Sequence, residues 1–223
     1  MKIRLRNVVI FICLLSVGCA ATVKNMTRTQ YMNSGFTYES MRYWGVSMLP
    51  VTAGNSVEGY RRPLGDKMNH FLATALPEVK VLTWQSSMDS INKASLVQSY
   101  EQLIGGYERT AILDKARTKE LATCLGVRYA LFCSIGDVSS GQTIVCGAGG
   151  AIAAKQTGNV EMICRIVDLE NGDVMQEIFG QVSAQEATYG SNGKMPTYDA
   201  YADEIARAVV GQIPGAQVPA AIR

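Results

Sequence analysis

Six cysteines and a single histidine hold the most reactive side chains in this sequence. The histidine, His70, has no second imidazole to work with, so no Ser-His-Asp or Cys-His arrangement is assembled around a shared base. On the helical period of Leu64 to Leu76 it falls away from the apolar face and points to solvent. No Gly-x-Ser-x-Gly elbow occurs. "GAGGAIA" (Gly147 to Ala153) lacks the G-x-G-x-x-G spacing of a dinucleotide loop. Asp168, Glu170, Asp173 and Glu177 cluster around one turn, where charges ordinarily serve solvation; a cation site would need converging oxygens. The sequence therefore assigns no catalytic residue, no metal and no cofactor. Cys124, Cys133, Cys146 and Cys164 have no ligand-pair spacing, which argues against zinc. An even number permits disulfides in three pairings that spacing cannot separate, and four buried thiols acting as small hydrophobes is the plainer expectation.

Cys19 is different, because of what precedes it. Lys2, Arg4 and Arg6 give a positive start, and Val8 to Val17 is apolar apart from Ser16. A run of about ten residues is too short to span a bilayer, which takes roughly 20. The junction Gly18-Cys19, after "LLSV", resembles a bacterial lipoprotein signal, with Ser16 where leucine is usual. The resemblance implies cleavage between Gly18 and Cys19 and acylation of the Cys19 sulfur, a task for a strong nucleophile. Ala20 in the next position favours the outer membrane, periplasmic face. Cys13 is lost with the signal. So are three basic residues, which leaves 18 basic against 19 acidic residues of the 21 and 19 in the full chain. A near-neutral domain has no basic face for nucleic acid.

The elements needed to position these residues follow from periodicity. Residues 1–18 form the signal, 19–41 a lipidated N-terminus and flexible tether, 42–213 one periplasmic domain and 214–223 a C-terminal tail. "RYWGVSMLPV" (Arg42 to Val51) reads as a strand, and Leu64 to Leu76 as an amphipathic helix with Pro63 in its first turn. "VKVLTW" (Val79 to Trp84) is a second strand. Helices follow over Ser87 to Leu103 and Ile112 to Leu125, with a break at Gly105-Gly106. "VRYALFCSIGDV" (Val127 to Val138) has the two-sided apolar pattern of a central strand. Asn159 to Val182 is a pair of strands turned through Asn171-Gly172, and Thr197 caps a last helix sharing Tyr198, Tyr201, Ile205 and Val209 on one face. The order β-α-β-α-α-β-β-β-α predicts an α/β (α+β) sandwich with one mixed sheet of about five strands.

In that order, "GVSMLPV", "VKVLTW", "LATCLGVRYALFCSIGDV" and "VEMICRIVDLENGDVMQE" resemble the core of a bacterial lipoprotein superfamily. It includes the curli-secretion lipoprotein CsgG, the exopolysaccharide-export lipoprotein PelC and the N-terminal domain of TolB. Gly126, Tyr129, Asp168, Gly172 and Asp173 carry the match, over roughly residues 42 to 212. The resemblance implies a non-catalytic envelope module, ring-forming or otherwise self-associating, acting in secretion, polysaccharide export or envelope maintenance. The alternatives are a ligand-binding periplasmic lipoprotein and, behind it, a cell-wall or glycan hydrolase. The bilayer, reached through Cys19, and a homo-oligomer or envelope proteins are the expected partners.

CsgG carries its first membrane hairpin where this chain has "TIVCGAGGAIAAKQ" (Thr143 to Gln156). Gly and Ala are poor strand formers, and no aromatic residue is present for an interfacial girdle. The segment is expected to be a contact loop carrying Ile144, Val145 and Ile152, not a stable barrel.

Overall fold

A computed structural model describes residues 22–146, 152–188 and 198–219. In chain order its elements are β1 (Thr22–Met32), α1 (Tyr38–Trp44), β2 (Val46–Met48), β3 (Thr52–Ala53), a 3-10 segment (Asn55–Tyr60), α2 (Arg61–Ala75) and β4 (Val81–Leu82). Then come α3 (Trp84–Lys93), α4 (Val97–Thr110), α5 (Lys115–Leu125), β5 (Tyr129–Cys146), β6 (Ile152–Asp168), β7 (Asp173–Thr188) and α6 (Tyr198–Val210). Local chemistry sets the helix starts. Thr37 and Ser40 form a reciprocal capping box, Thr83 accepts from the Ser86 amide, and Asp114 accepts from the amides of Ala116 and Arg117.

One seven-stranded mixed sheet runs β1-β7-β6-β5-β2-β4, with β3 also on β5. The α/β sandwich expected from the pattern is therefore present, with β1 and β3 as strands beyond the five foreseen. β2 is parallel to β4 and β5, whereas β5, β6, β7 and β1 pair antiparallel in sequence. Side chains alternate along β5. Tyr129, Leu131, Cys133 and Ile135 enter one core with α2 and α6, and Ala130 enters the other with α3, α4 and α5. Ser47 and Ser87 join β2 to α3 through a buried hydroxyl–hydroxyl hydrogen bond of 2.7 Å.

Several expectations are corrected. Residues 22–41 are not a tether: 22–32 form the edge strand β1, and 38–41 open α1. A polar sequence suits an edge, because one side of such a strand stays in water. Arg42, Tyr43 and Trp44 close α1, so the following strand is only Val46–Met48. The helix break lies at Ser95, which has φ 59°, and Gly105-Gly106 sits inside α4. Of the tail, residues 214–219 pack back on the domain, and the Gln217 amide donates to the Ala75 carbonyl at 3.0 Å.

The largest correction concerns residues 143–156. The parts described, 143–146 and 152–156, are strand and not loop: Ile144 pairs with Ala154, Val145 with Ala153 and Cys146 with Ile152. β7 continues alongside to Thr188, opposite Ala154. Weak intrinsic propensity is overridden because the register is already set by the β5–β6 core pairs and each added pair extends an existing ladder.

Candidate interaction surface

Among the described residues the reactive side chains are dispersed over separate elements. His70 is exposed on α2 and stacks edge-on against Phe71 at 5.4 Å. Among the described residues no three His, Cys, Asp or Glu side chains gather as a metal site. The acidic cluster is split among separate tasks. Asp168 is 1% exposed and accepts from Arg128 through Nε at 3.0 Å and Nη2 at 2.7 Å. Its carboxylate also accepts from the Glu170 amide and the Asn171 side chain, closing the β6–β7 turn. In that turn Gly172 takes φ +72°, a left-handed conformation that L side chains adopt at a cost. Glu177 pairs with Arg165, and Glu170 and Asp173 are exposed.

The cysteines divide too. Cys133 and Cys164 are direct cross-strand partners on β5 and β6 and are joined as a disulfide inside the core. Cys124 is a free, half-buried thiol on α5, pushed up in pKa by burial and then by Glu120. Cys146 lies in the outer part of β5. Gly18 and Cys19 fall outside the described residues.

What the fold does build is a sheet face that, among the described residues, no helix covers beyond its lower edge. Among the described residues the core under α3, α4 and α5 takes in Ala130, Phe132, Val167 and Val174 of the antiparallel strands and Leu169 of the β6–β7 turn, and Tyr107 of α4 extends to Arg165. Beyond them the ladder pairs align side chains in rows. The row at the edge of α4 holds Tyr31, Glu177, Arg165 and Phe132, the last two partly covered by the helix; the next holds Arg28, Phe179, Ile163 and Ser134. Ile163 and Phe179 belong to neither core, and the Arg28 guanidinium sits 5.9 Å from the Phe179 ring centre. Higher up, the Glu161 carboxylate accepts from Gln181 at 2.8 Å and Asn159 at 3.1 Å, with Met26 beyond them on β1, 53% exposed. The sequence signal for this face was the alternation in "EMICRIVD". It places Glu161, Ile163 and Arg165 opposite the buried Met162, Cys164 and Ile166.

β1 bounds the face, and among the described residues it pairs with β7 alone, so it is an edge of the sheet. Four strands spaced ~4.8 Å apart and four rows of ~6.8 Å give roughly 500 Å². A standard interface takes about 800 Å² from each partner. The face by itself therefore suits association between molecules already held close together.

Register also gives the sheet a direction. Thr22 is level with Gln185, Gln185 with Thr157, and Thr157 with Gly141. Past that level the β5–β6 pair runs on to Cys146 and Ile152. The start of β1, the far end of β5–β6 and the end of β7 thus share one end of the sheet. The Arg128–Asp168 pair and the 169–172 turn occupy the other.

No family model matches the chain, and no curated protein does. Among solved structures it is similar to a variant PelC dodecamer from Paraburkholderia phytofirmans, at 11% identity and a TM-score of 0.46, over 86% of this chain and 99% of that one. It is similar to the hypothetical protein CT253 from Chlamydia trachomatis, at 12% identity and a TM-score of 0.44, over 78% and 96% of the two chains. It is also similar to lipoprotein GNA1162 from Neisseria meningitidis, at 16% identity and a TM-score of 0.38, over 76% and 97%.

Proposed function

We propose that this protein is a non-catalytic outer-membrane lipoprotein, held by an acylated Cys19, whose domain self-associates as an assembly module of the cell envelope. Secretion, polysaccharide export and envelope maintenance are the processes such a module serves. The observation that carries this reading is the uncovered face of β1, β7, β6 and β5, with Phe179 and Ile163 outside both cores. Confinement to a membrane supplies what so small a face lacks, because anchored molecules meet at raised effective concentration.

The shared end of the sheet supports the same reading. Cys19 stands three residues before Thr22, so the anchor reaches at most ~11 Å from the start of β1. The β5–β6 pair extends five residues past the level of Thr22, ~17 Å at ~3.4 Å each. With Cys19 in the bilayer surface, that end of the sheet faces the membrane. From Val138 to Ala154 the sequence carries no charge, and Lys155 follows.

Two substitutions test the proposal in the native membrane. Cys19→Ser removes the acyl chains, each buried methylene of which contributes about 0.8 kcal/mol, and is expected to abolish salt-resistant membrane retention. Phe179→Glu, made in the anchored protein, is expected to abolish amine-reactive cross-linking between copies while leaving membrane retention intact. Retention of unacylated Cys19→Ser would sink the anchor, and undiminished cross-linking of Phe179→Glu would sink the face.

A further inference from the structure

Where α4 crosses the lower edge of the uncovered face, a cleft of about 340 Å³ opens between helix and sheet. It lies at the carboxyl ends of β2 and β3, beside β5. The connection from β2 to β4 through α2 uses one face of the sheet. The connection from β4 to β5 through α3, α4 and α5 uses the other. The volume falls within the range of small-molecule pockets, about 300–1,000 Å³.

The lining holds one cation and one anion. Arg165 contributes the only cation among the lining residues. Its Nε is committed to Glu177 and its plane lies 5.3 Å from the Tyr107 ring centre, which fixes the guanidinium. Among the described residues its two terminal nitrogens, the Ser134 hydroxyl and the Tyr107 hydroxyl have no protein hydrogen-bond partner. Burial pushes the Tyr107 phenol up from its ordinary pKa, so it stays a donor at neutral pH. Pro50, Ile104 and Phe132 supply an apolar wall, and Glu108 stands at the same cleft.

We propose that this cleft binds a small monocarboxylate carried on an apolar body. The guanidinium fork and the two hydroxyls take the carboxylate, and the Pro50–Ile104–Phe132 wall takes the body. A guanidinium accepts a carboxylate in two parallel hydrogen bonds, a geometry the free Nη1 and Nη2 offer. Glu108 and the Glu177 carboxylate paired with Arg165 oppose a second negative charge on the ligand, so the dianion of inorganic phosphate is disfavoured. The cleft shares Phe132, Ser134 and Arg165 with the lower rows of the uncovered face, whereas Ile104, Tyr107 and Glu108 come from α4 alone.

The test is calorimetric titration of the mature lipoprotein, in nanodiscs of uncharged-headgroup lipid, with 3-phenylpropionate, its amide and inorganic phosphate. Saturable binding of the carboxylate alone is expected. Arg165→Lys keeps the charge beside Glu177 but loses the fork, and is expected to weaken binding about tenfold. Tyr107→Phe and Ser134→Ala remove one hydroxyl each and are expected to weaken it several-fold; Tyr107 lies on α4, outside the rows of the sheet face, so Tyr107→Phe is expected to leave cross-linking between copies unchanged. Equal binding of the amide, displacement by phosphate, full affinity in all three variants, or no saturation at millimolar carboxylate would each overturn the proposal. Thermal unfolding of each variant separates loss of the site from loss of the fold.

Discussion

Asp168→Ala is expected to destabilise the domain by about 3 kcal/mol, the lower end of what breaking a buried ion pair costs. The carboxylate is buried, whereas the Arg128 side chain keeps 29% of its surface in water and can be partly resolvated. Truncation also strands the Glu170 amide and the Asn171 side chain that the carboxylate holds. Arg128 itself lies 5.6 Å from the Trp44 ring centre, and its carbonyl accepts from the Leu169 amide, so the pair ties α1, β5 and the β6–β7 turn together. At 2–4 °C per kcal/mol for a domain of this size, the unfolding midpoint should fall by about 6–12 °C. Asp168→Asn keeps an acceptor for the turn and loses the charge, so its midpoint should lie between the two. Circular dichroism melts of the three proteins decide the matter. A midpoint for Asp168→Ala within a degree of wild type would mean that the clamp contributes nothing.

Gly45→Ala is expected to cost still more, about 3–5 kcal/mol. Gly45 turns the chain from α1 into β2 at φ 75° and ψ 165°, a region essentially reserved for glycine. A side chain there pays about 1–3 kcal/mol in backbone strain. Space is lacking too. A Cβ would stand 2.8 Å from Val127 Cγ1 and 3.0 Å from the Lys80 carbonyl oxygen, and the latter is backbone that already accepts from the Val46 amide. Overpacking of this kind adds about 1–3 kcal/mol. Gly54→Ala is the control, because nothing lies within 4 Å of its added Cβ. It should shift denaturant unfolding by less than about 0.5 kcal/mol. Equal unfolding midpoints for the two variants would refute the account of Gly45.

The parts of this fold legible in the sequence are those whose signal is local. The alternation of Tyr129 to Ile135, the Asn171-Gly172 turn and the face of Leu64, Met68, Phe71 and Leu72 each declare their element within a few residues. β1 could not be read that way. Its only pairing is with β7, Thr22 against Gln185, and its own sequence is polar with no sustained alternation. The Cys133–Cys164 bond was hidden for a related reason: spacing is silent, but the register of β5 against β6 sets the two opposite each other. Of the interaction surface, Ile163 and Phe179 were visible only as ordinary strand residues. That they lie outside the core depends on how far α4 and α5 extend over the sheet, which no local pattern encodes. The cleft residues are more dispersed still, since Pro50, Tyr107, Phe132 and Arg165 come from four separate elements.

The pairing of β1 with β7 has a consequence for the order of events during synthesis. A chain made from its N-terminus produces β1 first, yet among the described strands its partner is β7, the last in chain order. Contacts this distant in sequence form late, because a long loop must close before they contribute anything. The nascent N-terminal stretch therefore remains extended and unpaired until residues 173–185 have been added. Over that interval β1 is a strand without its neighbour, and the closing of β1 onto β7 is the step that completes the sheet.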